Sequence, residues 1–120
     1  MKKILIVEDE KDIARVMQLR LKQEGYNITL AVDGMMAVQS IHKTQPDLII
    51  LDLMIPCGDG MSVIKRIKMS TNTNSIPIIV LTGKQDIEYK NKVLDQGVDA
   101  FFNKPYDAQE FLAEIKRLIG

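Results

Sequence analysis

Short apolar runs alternate with segments in which apolar residues return every three or four positions. The runs are Ile4-Leu5-Ile6-Val7, Leu48-Ile49-Ile50-Leu51, Ile76-Pro77-Ile78-Ile79-Val80-Leu81 and Ala100-Phe101-Phe102, with a shorter one near 27–31. They predict strands over 3–7, 27–31, 47–51, 77–81 and 99–102. The first, third and fourth are nearly unbroken in Ile, Leu and Val, the pattern of strands buried on both faces. Between them Ile13, Val16, Met17 and Leu21 recur at helical spacing, and Gly25 stops that helix. Ala37, Val38 and Ile41 mark a second helix after Asp33-Gly34, and Met61, Ile64 and Ile67 a third after Asp59-Gly60. A fourth, over 86–96, carries only Ile87, Val93 and Leu94 and ends at Gly97; Phe111, Leu112, Ile115 and Leu118 line a fifth. Met35, Met36, Met61 and Met69 lie on or beside helices and are expected to fill the core. Strands alternating with helices predict an α/β fold, a doubly wound five-stranded parallel sheet with five helices. In the order 2-1-3-4-5, ligands bind beyond the carboxyl ends of strands one and three, where the order reverses.

Those strand ends carry the chemistry. Glu8-Asp9 follows the first run, Asp52 the third, Thr82-Gly83 the fourth and Lys104-Pro105 the fifth. Carboxylates at about 5 Å repel by roughly 3 kcal/mol per pair at an effective dielectric near 20. A cation among them is therefore expected. Hard oxygen ligands favour magnesium, with manganese the alternative. Asp9 and Asp52 would be direct ligands, and Glu8 would act through water. Asp52 is the candidate nucleophile, since a carboxylate can hold a phosphoryl group as an acyl phosphate. Lys104 would supply a point charge for a phosphate oxygen, Thr82 a hydroxyl and Gly83 a main-chain N–H. Each residue alone has a plainer account. Asp9 would cap the first helix, Asp52 would start a turn, and Lys104-Pro105 would be a solvated turn. Their coincidence at one sheet edge favours the site.

Composition narrows the class. The 120 residues suit one domain over 1–120, with 46% hydrophobic and 27% charged residues. Sixteen basic residues balance sixteen acidic ones, so no net field draws nucleic acid or an anionic membrane. The single cysteine, Cys57, excludes an internal disulfide and fits a reducing compartment. Met1-Lys2-Lys3 opens like a signal peptide, but its apolar stretch ends in an acidic cluster after four residues. A cytoplasmic location is expected, without membrane association.

The same residues resemble the receiver domain of a two-component response regulator, over the whole chain. The matching pieces are Ile4-Leu5-Ile6-Val7-Glu8-Asp9, Asp47 to Pro56 with Asp52 at its centre, Asp59-Gly60, Leu81-Thr82-Gly83 and Lys104-Pro105. The resemblance implies a regulatory phosphoacceptor rather than an enzyme. Asp52 would accept a phosphoryl group from a histidine kinase or a histidine phosphotransfer protein. It implies that the main-chain carbonyl of Met54 completes the magnesium shell and that the Lys104-Pro105 bond is cis. It also implies a switch, in which phosphate drawn against Thr82 leaves space that Phe101 turns inward to fill. The changed face would be helix 4, strand 5 and helix 5, read by a downstream effector domain or protein, and a phosphorylation-dependent homodimer is compatible with it. The first acidic position is Glu8 where many members have Asp, and Phe101 stands where Tyr is common.

Rivals fare worse. A flavin or nucleotide module needs a Gly- or Thr-rich phosphate cradle after the first strand, where this chain has Glu8-Asp9-Glu10. A haloacid-dehalogenase-like phosphatase carries Asp two residues after its nucleophile, and position 54 is Met. A phosphorylation-independent docking module on this fold is the alternative with most weight, although such modules lose acidic or lysine residues that are all present here. Met54 and Lys84 are expected to flank the phosphoryl group, with Met54 hindering water. His42 reads as a surface residue and Cys57 as a small loop residue near the pocket.

Overall fold

The computed structural model describes residues 1–55, 60–83 and 86–120. The elements alternate throughout: β1 (Lys3–Val7), α1 (Lys11–Gln23), β2 (Asn27–Ala31), α2 (Gly34–Thr44), β3 (Leu48–Asp52), α3 (Gly60–Met69), β4 (Ile78–Thr82), α4 (Ile87–Leu94), β5 (Ala100–Asn103) and α5 (Ala108–Ile119). The five strands form one parallel sheet in the order β2-β1-β3-β4-β5. Every residue of β3 and β4 is buried, as their unbroken Ile/Leu/Val content requires.

Side chains alternate across the sheet, so each strand feeds two cores. Leu5, Val7, Ile49, Leu51, Ile78 and Val80 pack with Ala37 and Ile41 of α2, Val63, Ile64 and Ile67 of α3 and Val93 of α4. Ile4, Ile6, Leu48, Ile50, Ile79 and Leu81 pack with Met17 and Leu21 of α1 and Phe111 and Ile115 of α5. Fully burying one such aliphatic side chain contributes about 1.5–3 kcal/mol. Among the described residues, three helices start on an aspartate whose carboxylate accepts from the first turn: Asp33 from Met36 N–H at 2.8 Å, Asp86 from Glu88 N–H at 2.9 Å, and Asp107 from Gln109 N–H at 2.8 Å.

The strands sit one residue later than expected at β3, β4 and β5. Asp47 stays outside β3, with its carboxylate accepting from Lys3 N–H at 2.7 Å. Pro77 lacks an N–H and offers only its carbonyl, to Ile49 N–H at 3.0 Å. Helix α4 stops at Leu94, two residues short of 96, and Gly97 follows at φ +90°. In α1 the buried residues are Ala14, Met17 and Leu21, whereas Ile13 and Val16 are exposed. Those two line a groove of about 300 Å³ with Asp12, Met17 and Tyr106 instead of entering the core. Met35, Met36 and Met69 are likewise exposed, and only Met61 of the four packs on the core. Their positions face away from the sheet, and apolar character alone does not turn a helix. His42 is exposed, as expected.

Candidate functional site

Parallel register assembles the site at the carboxyl edge of the sheet. Val7 pairs with Leu51, which sets Glu8 beside Asp52; Asp52 pairs with Leu81 and Thr82 with Asn103, which sets Lys104 one residue beyond. Main-chain bonds fix the exits: Glu8 N–H donates to Ala31 O at 3.0 Å, Leu53 N–H to Leu81 O at 3.0 Å and Lys104 N–H to Thr82 O at 2.8 Å. The Lys104-Pro105 peptide is cis, as the resemblance implies.

Glu8, Asp9 and Asp52 bring one carboxylate oxygen each within 4.8 Å of one another. Glu8 and Asp52 are buried and Asp9 is exposed, so the cluster has two inner carboxylates and one facing solvent. The N-cap of α1 is Glu10, whose side chain makes no capping bond, so the capping account of Asp9 does not hold. Lys104 Nζ donates to Asp52 Oδ2 at 2.6 Å and to Glu8 Oε1 at 3.1 Å, with 28% of its side chain exposed. Asp52 Oδ1 accepts from Met54 N–H at 2.9 Å. The turn account of Asp52 is thus true alongside the site, because the same carboxylate that starts the turn lies in the cluster.

Burial in this acidic company pushes the Glu8 carboxyl up to about 7. Desolvation is the largest cause, followed by the charge of Asp52, and the bond and charge of Lys104 only partly offset them. For Lys104, burial alone would depress the ammonium, yet its bonds to Asp52 and Glu8 outweigh that and raise it. Three carboxylates against one ammonium leave the cluster short of positive charge. All-oxygen hard donors at this spacing fit a divalent magnesium ion.

Thr82 is fully buried at the end of β4, next to Gly83. A Cβ on Gly83 would meet nothing within 4 Å, so steric need does not explain that glycine. Gly60 is different: a Cβ there would lie 2.6 Å from Leu53 Cδ2 and 2.7 Å from Leu53 Cα, and Gly60 N–H donates to Leu53 O at 3.3 Å. The start of α3 therefore presses on the turn that follows Asp52. Met54 is 62% exposed on that turn. Lys84, Cys57 and the stretch from Pro56 to Asp59 lie outside the described residues.

Two features escaped the sequence reading. One is the direct Glu8–Lys104 ion pair, 96 residues apart in sequence, which no local spacing reveals. The other is an aromatic cluster of Phe102, Tyr106 and Phe111, with centroids 4.8 to 6.3 Å apart, that anchors the segment leaving Lys104-Pro105. One groove of about 330 Å³ includes Glu8 in its lining, with Lys11, Arg15 and Leu30. A groove of about 400 Å³ between α2 and α3 is lined by Met35, Val38, Val63 and Arg66, away from the carboxylates.

An acidic triad, a bridging lysine and a buried threonine on the edge of a 2-1-3-4-5 sheet define a receiver domain. Residues 4–116 match the response regulator receiver domain family, and the chain belongs to it. It is 37% identical over 119 residues to the DNA-binding dual master transcriptional regulator RpaA of Synechocystis, and 39% identical over 119 residues to the response regulator ArlR of Staphylococcus saprophyticus. Each match covers 99% of this chain but only 49% and 53% of those proteins, so the chain spans about half their length. Among solved structures, it resembles the receiver domain of the sensor histidine kinase PA1611 from Pseudomonas aeruginosa, which holds a magnesium ion in its active-site cleft. That likeness has a TM-score of 0.90 at 32% identity and covers 99% of this chain and 98% of the other. Among the described residues no helix is long and apolar enough to cross a membrane.

Proposed function

We propose that this chain is a phosphoacceptor switch in which Asp52 takes a phosphoryl group from a phosphohistidine on a partner kinase or phosphotransfer protein. The observation that carries the reading is the gathering of Glu8, Asp9 and Asp52 within 4.8 Å, with Lys104 bonded to two of them. A bound magnesium ion, held by Asp9, Asp52 and the Met54 carbonyl with Glu8 through water, would supply positive charge to phosphate oxygens. Manganese would serve in the same way.

In the transfer, a carboxylate oxygen of Asp52 forms the new O–P bond as the P–N bond to the donor imidazole breaks. The electron pair of that bond stays on the imidazole nitrogen, and the proton that the donor carries on its other ring nitrogen leaves the imidazole neutral. Met54 N–H holds Asp52 Oδ1 and so fixes the rotation of the carboxylate. Lys104 now neutralises Asp52; after transfer its ammonium follows the charge to a phosphoryl oxygen. Thr82 and the Gly83 N–H receive the remaining oxygens. Phe101 then turns inward, and the altered face of α4, β5 and α5 is read by an effector domain or protein, or by a second copy of the chain. Phosphate biases this equilibrium only by its different contacts with the two states. The charge balance argues against direct nucleic acid binding by this chain, and the setting is cytoplasmic, with residues 1–120 acting as one receiver unit.

The test is incubation with magnesium and a small acyl-phosphate donor, followed by intact mass. A phosphoryl adduct on native protein, absent in Asp52→Asn and abolished by chelator, supports the reading. Equal labelling of both proteins refutes it.

A further inference from the structure

The register that pairs Val80 with Phe101 and Thr82 with Asn103 puts the Phe101 side chain on the Thr82 face of the sheet. Phe102 points the other way, into the cluster with Tyr106 and Phe111. Phe101 is only half-buried and packs on the core side that holds Val80 and Val93. Helix α4 covers that side. Its Lys90 is exposed, and its ammonium lies 5.6 Å from the centre of the Phe101 ring. That is within the roughly 6 Å over which a ring face attracts a cation. Among the described residues, no carboxylate lies within ion-pairing distance of Lys90.

We infer that Lys90 is a positioning residue for the switch: its ammonium, seated over Phe101, holds the ring against α4 and so biases the unphosphorylated domain toward its resting state. The inference rests on the reading of Asp52 as phosphoacceptor and Phe101 as the moving ring. When that ring turns toward Thr82 it must leave the ammonium, so the contact belongs to one state only. An interaction made in one state alone shifts the equilibrium by its full strength. For an exposed cation and a phenyl ring, that strength corresponds to about a two- to fivefold change in population. The side chain thus sets how much phosphorylation is needed to throw the switch, without touching the phosphoryl group.

Lys90→Gln removes the charge and keeps an extended polar chain; Lys90→Arg keeps the charge and the ring contact. In native, unphosphorylated protein, ring current should shift the Lys90 ε-methylene protons upfield in the NMR spectrum, and Phe101→Leu should abolish the shift. Beryllofluoride, a phosphoryl mimic, is then titrated with magnesium present while the Phe101 ring resonances are followed. K90Q should half-saturate at a concentration about two- to fivefold lower than native, with K90R close to native. Unchanged half-saturation in K90Q, or K90R behaving like K90Q, overturns the role of Lys90 alone, as does the absence of a ring-current shift. Failure of native protein to take up beryllofluoride overturns the phosphoacceptor reading and this inference with it.

Discussion

Replacing Lys104 by Met tests the electrostatic frame of the site. The ammonium lies 2.6 Å from Asp52 Oδ2 and 3.1 Å from Glu8 Oε1. At an effective dielectric near 20 these separations correspond to gross attractions of about 6 and 5 kcal/mol. Most of that offsets the cost of burying the charges, and removing one partner of a buried pair typically costs about 3–5 kcal/mol. Because 28% of the lysine side chain meets solvent, screening lowers the expected loss to about 2–3 kcal/mol. Urea unfolding at pH 8 in chelator should therefore show a midpoint lower by about 1–2 M. At pH 5 Glu8, whose carboxyl is pushed up to about 7, is mostly neutral, so the gap to native should shrink. Magnesium should restore much of the loss by replacing the missing charge. A variant as stable as native at pH 8 in chelator, or a loss indifferent to both pH and magnesium, would refute the reasoning.

Three further outcomes follow from the same geometry. Glu8 titrates near 7 folded against 4.5 unfolded, so the native state holds the extra proton between these values. Metal-free stability should fall by about 3 kcal/mol as pH rises through that window, and Glu8→Gln or saturating magnesium should flatten the slope in urea titrations. Gly60→Ala forces a Cβ to within 2.7 Å of Leu53 Cα. It should destabilise by about 1–3 kcal/mol and weaken magnesium binding in calorimetry by displacing the Met54 turn; unchanged affinity would count against a ligand on that turn. Replacing exposed Met54 with Ser should open a path for water in line with phosphorus and speed phosphoryl loss several-fold, which an intact-mass time course measures.

The sheet was readable in advance because parallel strands buried on both faces leave an unbroken apolar signature, as in Leu48 to Leu51. The right-handed crossover rule leaves few topologies, the order 2-1-3-4-5 among them, and the acidic and basic site residues stand out from their place just past each strand. Lateral detail was not readable. Ile13 and Val16 have helical spacing, yet Ala14 takes the inward position in α1, because the core selects a helix face by fit as well as by apolarity. The exposed methionines failed in the same way. The last residues of β3, β4 and β5, namely Asp52, Thr82 and Asn103, are polar, and an apolar run does not show that strand pairing continues one residue past it. The Glu8–Lys104 pair and the Lys90–Phe101 contact join residues on different elements through side-chain reach, which spacing along one element does not encode.

The most direct measurement locates the phosphoryl group itself. After labelling with an acyl-phosphate donor and magnesium, borohydride reduction converts a phosphorylated aspartate to homoserine, which peptide mass mapping places by position. Homoserine at position 52, and none when magnesium is chelated, is the predicted result. Homoserine at another aspartate, or at none while the label persists, would contradict an attack by Asp52.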